Sequence, residues 1–132
     1  MKRSLPLLLA ATLASASLVH AATPESACAN LADARTQLVG MIAETDAARL
    51  DDFKAKVHAA SDKLDADLSA MASGPDAAKA AAFQPVWEAF KNTRETEIIP
   101  AVYAGKNADA KAIATGVQAE RMKQMKAAMG CQ

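Results

Sequence analysis

The chain has 132 residues, with 15 basic and 15 acidic side chains, two histidines and two cysteines, a length that bounds one small domain. Once the leader described below is removed, the balance is 13 basic to 15 acidic groups. That negative sign, with no basic patch, disfavours a nucleic-acid partner.

Lys2 and Arg3 precede an apolar run from Leu5 to Val19, too short for an ordinary bilayer-spanning helix. Val19-His20-Ala21 puts small residues at the −3 and −1 positions of a cleavage site. Residues 1–21 therefore read as a secretory signal peptide, leaving residues 22–132 as an exported, periplasmic domain. No second apolar stretch of roughly 20 residues follows, so no membrane insertion is expected after cleavage. In an oxidising compartment Cys28 and Cys131 become natural disulfide partners, closing nearly the whole mature chain into one loop.

Four helical segments fill that loop. Thr23-Pro24-Glu25 offers a hydroxyl cap, a proline at the first helical position and an acid in the first turn. The first helix is expected to run to about Thr45 on the stripe Ala27, Leu31, Ala34, Leu38, Met41 and Thr45. The second follows Leu50, Phe53, Val57, Ala60, Leu64 and Met71 to the break at Ser73-Gly74-Pro75. Phe83, Val86, Trp87, Phe90, Ile98 and Ala101 mark the third, which ends near Ala104-Gly105-Lys106. The last starts at Asn107 or Ala108 and passes Ile113, Val117 and Met125 before Gly130 stops it. Alanine is abundant and no segment alternates like a strand, so the class is all-α. Short breaks force neighbours antiparallel, which predicts an up-down-up-down four-helix bundle. In that topology the two cysteines lie at the same end. Pro85 and Pro100 each remove a backbone donor from the third helix, and each marks a kink or a boundary.

Several side chains invite a functional reading. Met122, Met125 and Met129 stand at helical spacing beside Cys131. Thioethers suit Cu(I), but methionine in this pattern more commonly fills a core, and no metal is expected. There is no C-x-x-C-H, so covalent haem attachment is excluded. Non-covalent haem, as in bundle cytochromes, is the alternative, and would need His58, the mature chain's one histidine, to face a methionine across the core. Alignment of the helices by their rise puts His58 level with Gln37, Arg94 and Gln118, with Glu97 and Arg121 about one turn away. Mid-helix arginines must pair, reach water or meet a ligand. Two readings follow. Arg94 pairs locally with Glu97 on the surface, or Arg94 and Arg121, with Glu97 and His58, form a binding site for a small carboxylate or other anion. Catalytic motifs are missing: there is no Ser/His/Asp order, P-loop, H-E-x-x-H or zinc spacing, so no enzyme is expected.

The stretch WEAFKNTRETEIIPAVYAGKNADAKAIATGVQAERMKQM, Trp87 to Met125, carries an aromatic pair, Trp87 and Phe90, ahead of the tight corner Ala104-Gly105-Lys106 and a last helix. In this it resembles the second helical hairpin of the periplasmic four-helix-bundle sensor domains of bacterial methyl-accepting chemotaxis receptors. The resemblance implies a bundle that binds a small molecule or a protein partner and performs no chemistry. Those domains are tethered by transmembrane helices and joined to a cytoplasmic signalling region, features this sequence does not show. No matching motif carries the receptors' ligand-binding arginines onto Arg94 or Arg121.

Overall fold

The computed structural model describes residues 21–132, and the leader expected over residues 1–21 lies, save for Ala21, outside them. The described residues form helices and turns: α1 (Pro24–Ala43), a short 3-10 turn (Ala47–Arg49), α2 (Leu50–Met71), α3 (Ala77–Thr93), a π-turn (Arg94–Ile98), α4 (Ile99–Tyr103), α5 (Asn107–Thr115) and α6 (Val117–Met129). Together α3, the π-turn and α4 form a third rod, and α5 with α6 a fourth.

Local chemistry sets most of these boundaries. The Thr23 hydroxyl accepts from the Ser26 amide at 3.1 Å while Ser26 Oγ accepts from the Thr23 amide at 2.9 Å, a reciprocal cap ahead of Pro24. α1 stops at Ala43 rather than Thr45, and Thr45 is exposed rather than part of the apolar stripe. The reason is Glu44, whose Oε1 takes the amides of Thr45 and Asp46 at 2.9 and 2.8 Å and so gives them a non-helical partner. Two rods end on a glycine with positive φ, Gly105 at 73° and Gly130 at 75°. At the second, the Cys131 amide reaches back to the Lys126 carbonyl at 2.9 Å, the glycine-dependent reversal that folds the chain back on its last turn. That reversal delivers Cys131 to Cys28, with which it forms a disulfide at a Cα–Cα distance of 5.7 Å.

Pro100 shapes the third rod. Its nitrogen cannot donate, and its ring crowds the carbonyl four residues back. The chain answers with a wide turn, the Ile99 amide bonding the Arg94 carbonyl five residues earlier. One extra residue in the turn advances the inward face, so Val102 is buried where the stripe predicted Ala101. Pro85 lies exposed within α3.

α1 packs closely along α2, and α3 along α6. Small buried residues, Ala27 and Ala34 on α1 and Ala60 and Ser61 on α2, suit a close approach of the first pair. Gly40 completes it: a Cβ there would meet the Phe53 ring at 3.0 Å. The aromatics fill the interior, Trp87 stacking on Phe90 at 5.5 Å between centroids and tilting against Phe83 at 6.5 Å. All three C-terminal methionines, Met122, Met125 and Met129, are buried. Val117, expected in the core, is 47 % exposed, and the inward position belongs to Gln118. The sequence stripe assumed one continuous last helix, whereas Gly116 breaks it with ψ at −107°. Among the described residues no helix is long and apolar enough to cross a membrane.

Candidate functional site

The arginine layer expected from the sequence is present in part, with Arg94 held in an internal network. Arg94 is 4 % exposed. Its Nη1 donates to Ser61 Oγ at 2.5 Å, and its Nε and Nη2 both reach Glu95 Oε1, at 2.9 and 2.8 Å. His58 Nε2 joins the same carboxylate oxygen at 2.8 Å. The carboxylate that serves Arg94 is therefore Glu95, not Glu97: the π-turn re-phases the rod just where the i, i+3 pairing was expected. Glu97 is exposed and forms no ion pair among the described residues.

Charge follows this geometry. Burial pushes the Glu95 carboxyl upward, but hydrogen bonds and positive charge from His58 and Arg94 outweigh it and hold the pKa below the ordinary glutamate value. His58 has a side chain 41 % exposed and spends Nε2 on Glu95, so it does not present that nitrogen to the buried methionines. Gln37 bonds Asp33 on its own helix at 3.1 Å and takes no part in the layer.

Arg121 is held separately. Its Nη1 donates to Thr93 Oγ1 at 2.6 Å and to Gln118 Oε1 at 2.9 Å, while Gln118 Nε2 donates to the Phe90 carbonyl at 2.9 Å. Gln118 is thus a core residue because it joins a guanidinium to a backbone carbonyl. Arg94 turns towards α2 and Arg121 towards the α3–α6 seam. Among the described residues no buried side-chain nitrogen or oxygen lacks a partner; all three Arg94 nitrogens are engaged, whereas the half-buried Arg121 bonds through Nη1. A third polar contact, Lys91 between Asp65 at 2.9 Å and Glu88 at 3.0 Å, lies beside the buried Trp87, whose Nε1 also donates to Asp65 at 2.7 Å.

Open space lies elsewhere, between α1 and α5, in a groove of about 490 Å³. Val39 and Ile42 form one wall, Ala108 and Ala114 the other, and Arg35 and Lys111 also line it. None of His58, Arg94, Glu97 and Arg121 does. The physical cause is composition: α5 reads NADAKAIAT, and its alanines end at Cβ, leaving unfilled the space a leucine would occupy. The near end is fastened by Asn107, whose Nδ2 donates to the carbonyls of Ile42 and Glu44 at 2.7 and 2.9 Å. A small recess of about 50 Å³ shares Arg35, Val39, Ala114 and Thr115 with the groove and reaches Phe90 and Gln118. Gln118, which lines the recess, also accepts from Arg121 of the expected arginine layer.

Sequence reasoning missed this groove because it followed the core stripe. The signal was a second face: Arg35, Val39 and Ile42 stand at steps of four and three, as do Asn107, Lys111 and Ala114. Among the described residues no group of three His, Cys, Asp or Glu side chains is arranged to hold a metal ion. Comparison with protein-family models, with curated proteins and with solved structures finds no match.

Proposed function

We propose that this protein is an exported, periplasmic, up-down-up-down four-helix bundle that binds a small, largely apolar molecule in the α1–α5 groove and carries out no chemistry, in the manner of a free-standing sensor or carrier domain. The antiparallel order is supported by ties between opposite ends of successive rods, Asn30 to Asp67 at 2.7 Å and Tyr103 to Asp51 at 2.5 Å, and by the bridge from Cys28 at the start of the first rod to Cys131 at the end of the fourth. Export is supported by the leader composition and the disulfide. The observation that carries the binding reading is the groove, whose volume falls within the range of small-molecule sites and whose walls are mostly apolar. The anion site expected at Arg94, Glu97, Arg121 and His58 is not the one proposed here, because Arg94 spends its three nitrogens on Ser61 and Glu95 while Arg121 turns to Thr93 and Gln118 instead.

The test is titration with N-phenyl-1-naphthylamine, a neutral probe that brightens in apolar surroundings. Saturable binding is expected, and Val39→Glu should abolish it with an unchanged far-ultraviolet circular dichroism spectrum, since Val39 is half exposed and tolerates a polar side chain. Absence of saturable binding by the unsubstituted protein refutes the reading.

A further inference from the structure

We infer that the ligand of the α1–α5 groove is an amphiphile with a single anionic head, such as a carboxylate on an apolar tail, and that Arg35 and Lys111 read that head. The inference rests on the groove being the binding site and adds the chemical class of its occupant. Three observations carry it. Both charged side chains that line the groove are cations, and no acidic side chain lines it. Among the described residues neither Arg35 nor Lys111 forms an ion pair, and both are exposed. Between the two cations the walls are apolar, Val39 and Ile42 against Ala108 and Ala114.

The chemistry that fits is an anion set beside a tail. An exposed cation on an apolar groove attracts a negative head without the cost of burying either charge, and the planar guanidinium of Arg35 suits a carboxylate bidentately. The tail supplies most of the affinity. Each methylene moved from water to the groove is worth about a fourfold gain in binding. A cationic amphiphile is repelled by both groups, and a neutral one forfeits the head interaction. The occupant is a free monomeric amphiphile, since a groove of about 490 Å³ suits one tail and the adjoining recess adds only about 50 Å³.

Competition against N-phenyl-1-naphthylamine tests the assignment. Decanoate should displace the probe more tightly than decanol by roughly tenfold, and decyltrimethylammonium should compete less well than decanol. Dodecanoate should bind about fifteenfold more tightly than decanoate. Arg35→Gln and Lys111→Gln should each weaken decanoate relative to decanol by about threefold to fivefold. Added salt should weaken decanoate and spare decanol. If the probe binds and decanol matches decanoate, or if both variants keep decanoate affinity, the head-group assignment fails while the groove stands. If the probe does not bind at all, both fail. Cosedimentation with anionic phospholipid vesicles without monomer binding, or a dimer that Val39→Glu dissociates, would put a membrane or a second copy in the groove and overturn the inference.

Discussion

Replacing Glu95 by Gln separates a structural arginine network from a ligand site. The amide keeps the size of the carboxylate and one acceptor oxygen, but removes the charge opposite Arg94. Breaking a fully buried ion pair costs about 3 to 5 kcal/mol, whereas exposed pairs contribute about 0.2 to 1 kcal/mol. Here the guanidinium side chain is 5 % exposed and the carboxylate 39 %, so water reaches the anion and not the cation. The loss should lie between those limits, at about 2 kcal/mol. Urea unfolding followed by circular dichroism measures it. Acid adds a second reading with a definite sign. The Glu95 pKa is lowered in the folded protein, so its contribution is fully present above the ordinary value of 4.5 and is lost as pH falls through the folded value. The gap between the unsubstituted protein and Glu95→Gln should therefore be widest near neutrality and close on acidification below 4.5. In a cycle with Arg94→Met the two substitutions should be coupled by about 1 to 2 kcal/mol. Ser61 would keep its bond to the Val57 carbonyl at 3.0 Å in that variant, so no orphaned hydroxyl confuses the result. A loss under about 0.5 kcal/mol that does not vary with pH would refute the argument that Arg94 depends on Glu95.

Reduction of the Cys28–Cys131 bridge, which links residues 103 apart, should cost about 4 to 5 kcal/mol by loop entropy; for a domain of roughly 110 residues this lowers the thermal midpoint by about 20 °C, and a shift under 5 °C in a melt with and without reductant would contradict it. Trp87 is the only tryptophan and is fully buried, so its emission should be blue-shifted and Trp87→Ala should cost about 3 to 5 kcal/mol in the same urea assay. Emission typical of water would place the ring outside the core. At high pH the Lys91 ammonium offers a further check: burial works against its charge, but Asp65 and Glu88 outweigh burial and raise its pKa. Its contribution is present below the ordinary lysine value of 10.5 and disappears as pH rises through the folded value, so Lys91→Met should flatten the alkaline limb of the stability curve.

The helical class, the breaks at Gly74, Gly105 and Gly130, the Thr23 cap and the Cys28–Cys131 pairing were all legible in the linear chain. They depend on propensity, capping and compartment, which act over a few residues or on composition. The inward faces of α1, α2 and the start of the third rod were legible for the same reason: Ala27, Leu31, Ala34, Leu38 and Met41 repeat at helical spacing, and all are buried. Past Pro100 and Gly116 that logic weakens. A π-turn or a broken helix shifts the phase by about a residue, which exchanges Ala101 for Val102 and Val117 for Gln118 at the core. The partners of Arg94 were out of reach as well: Ser61 lies 33 residues away along the chain, and Glu95 replaces Glu97 because the π-turn re-phases the rod. The groove is the furthest from the sequence. Val39 and Ala114 have nothing unusual in their neighbours along the chain, and a cavity arises only where the short side chains of α5 fail to fill the space against α1, a property of two packed surfaces rather than of either helix.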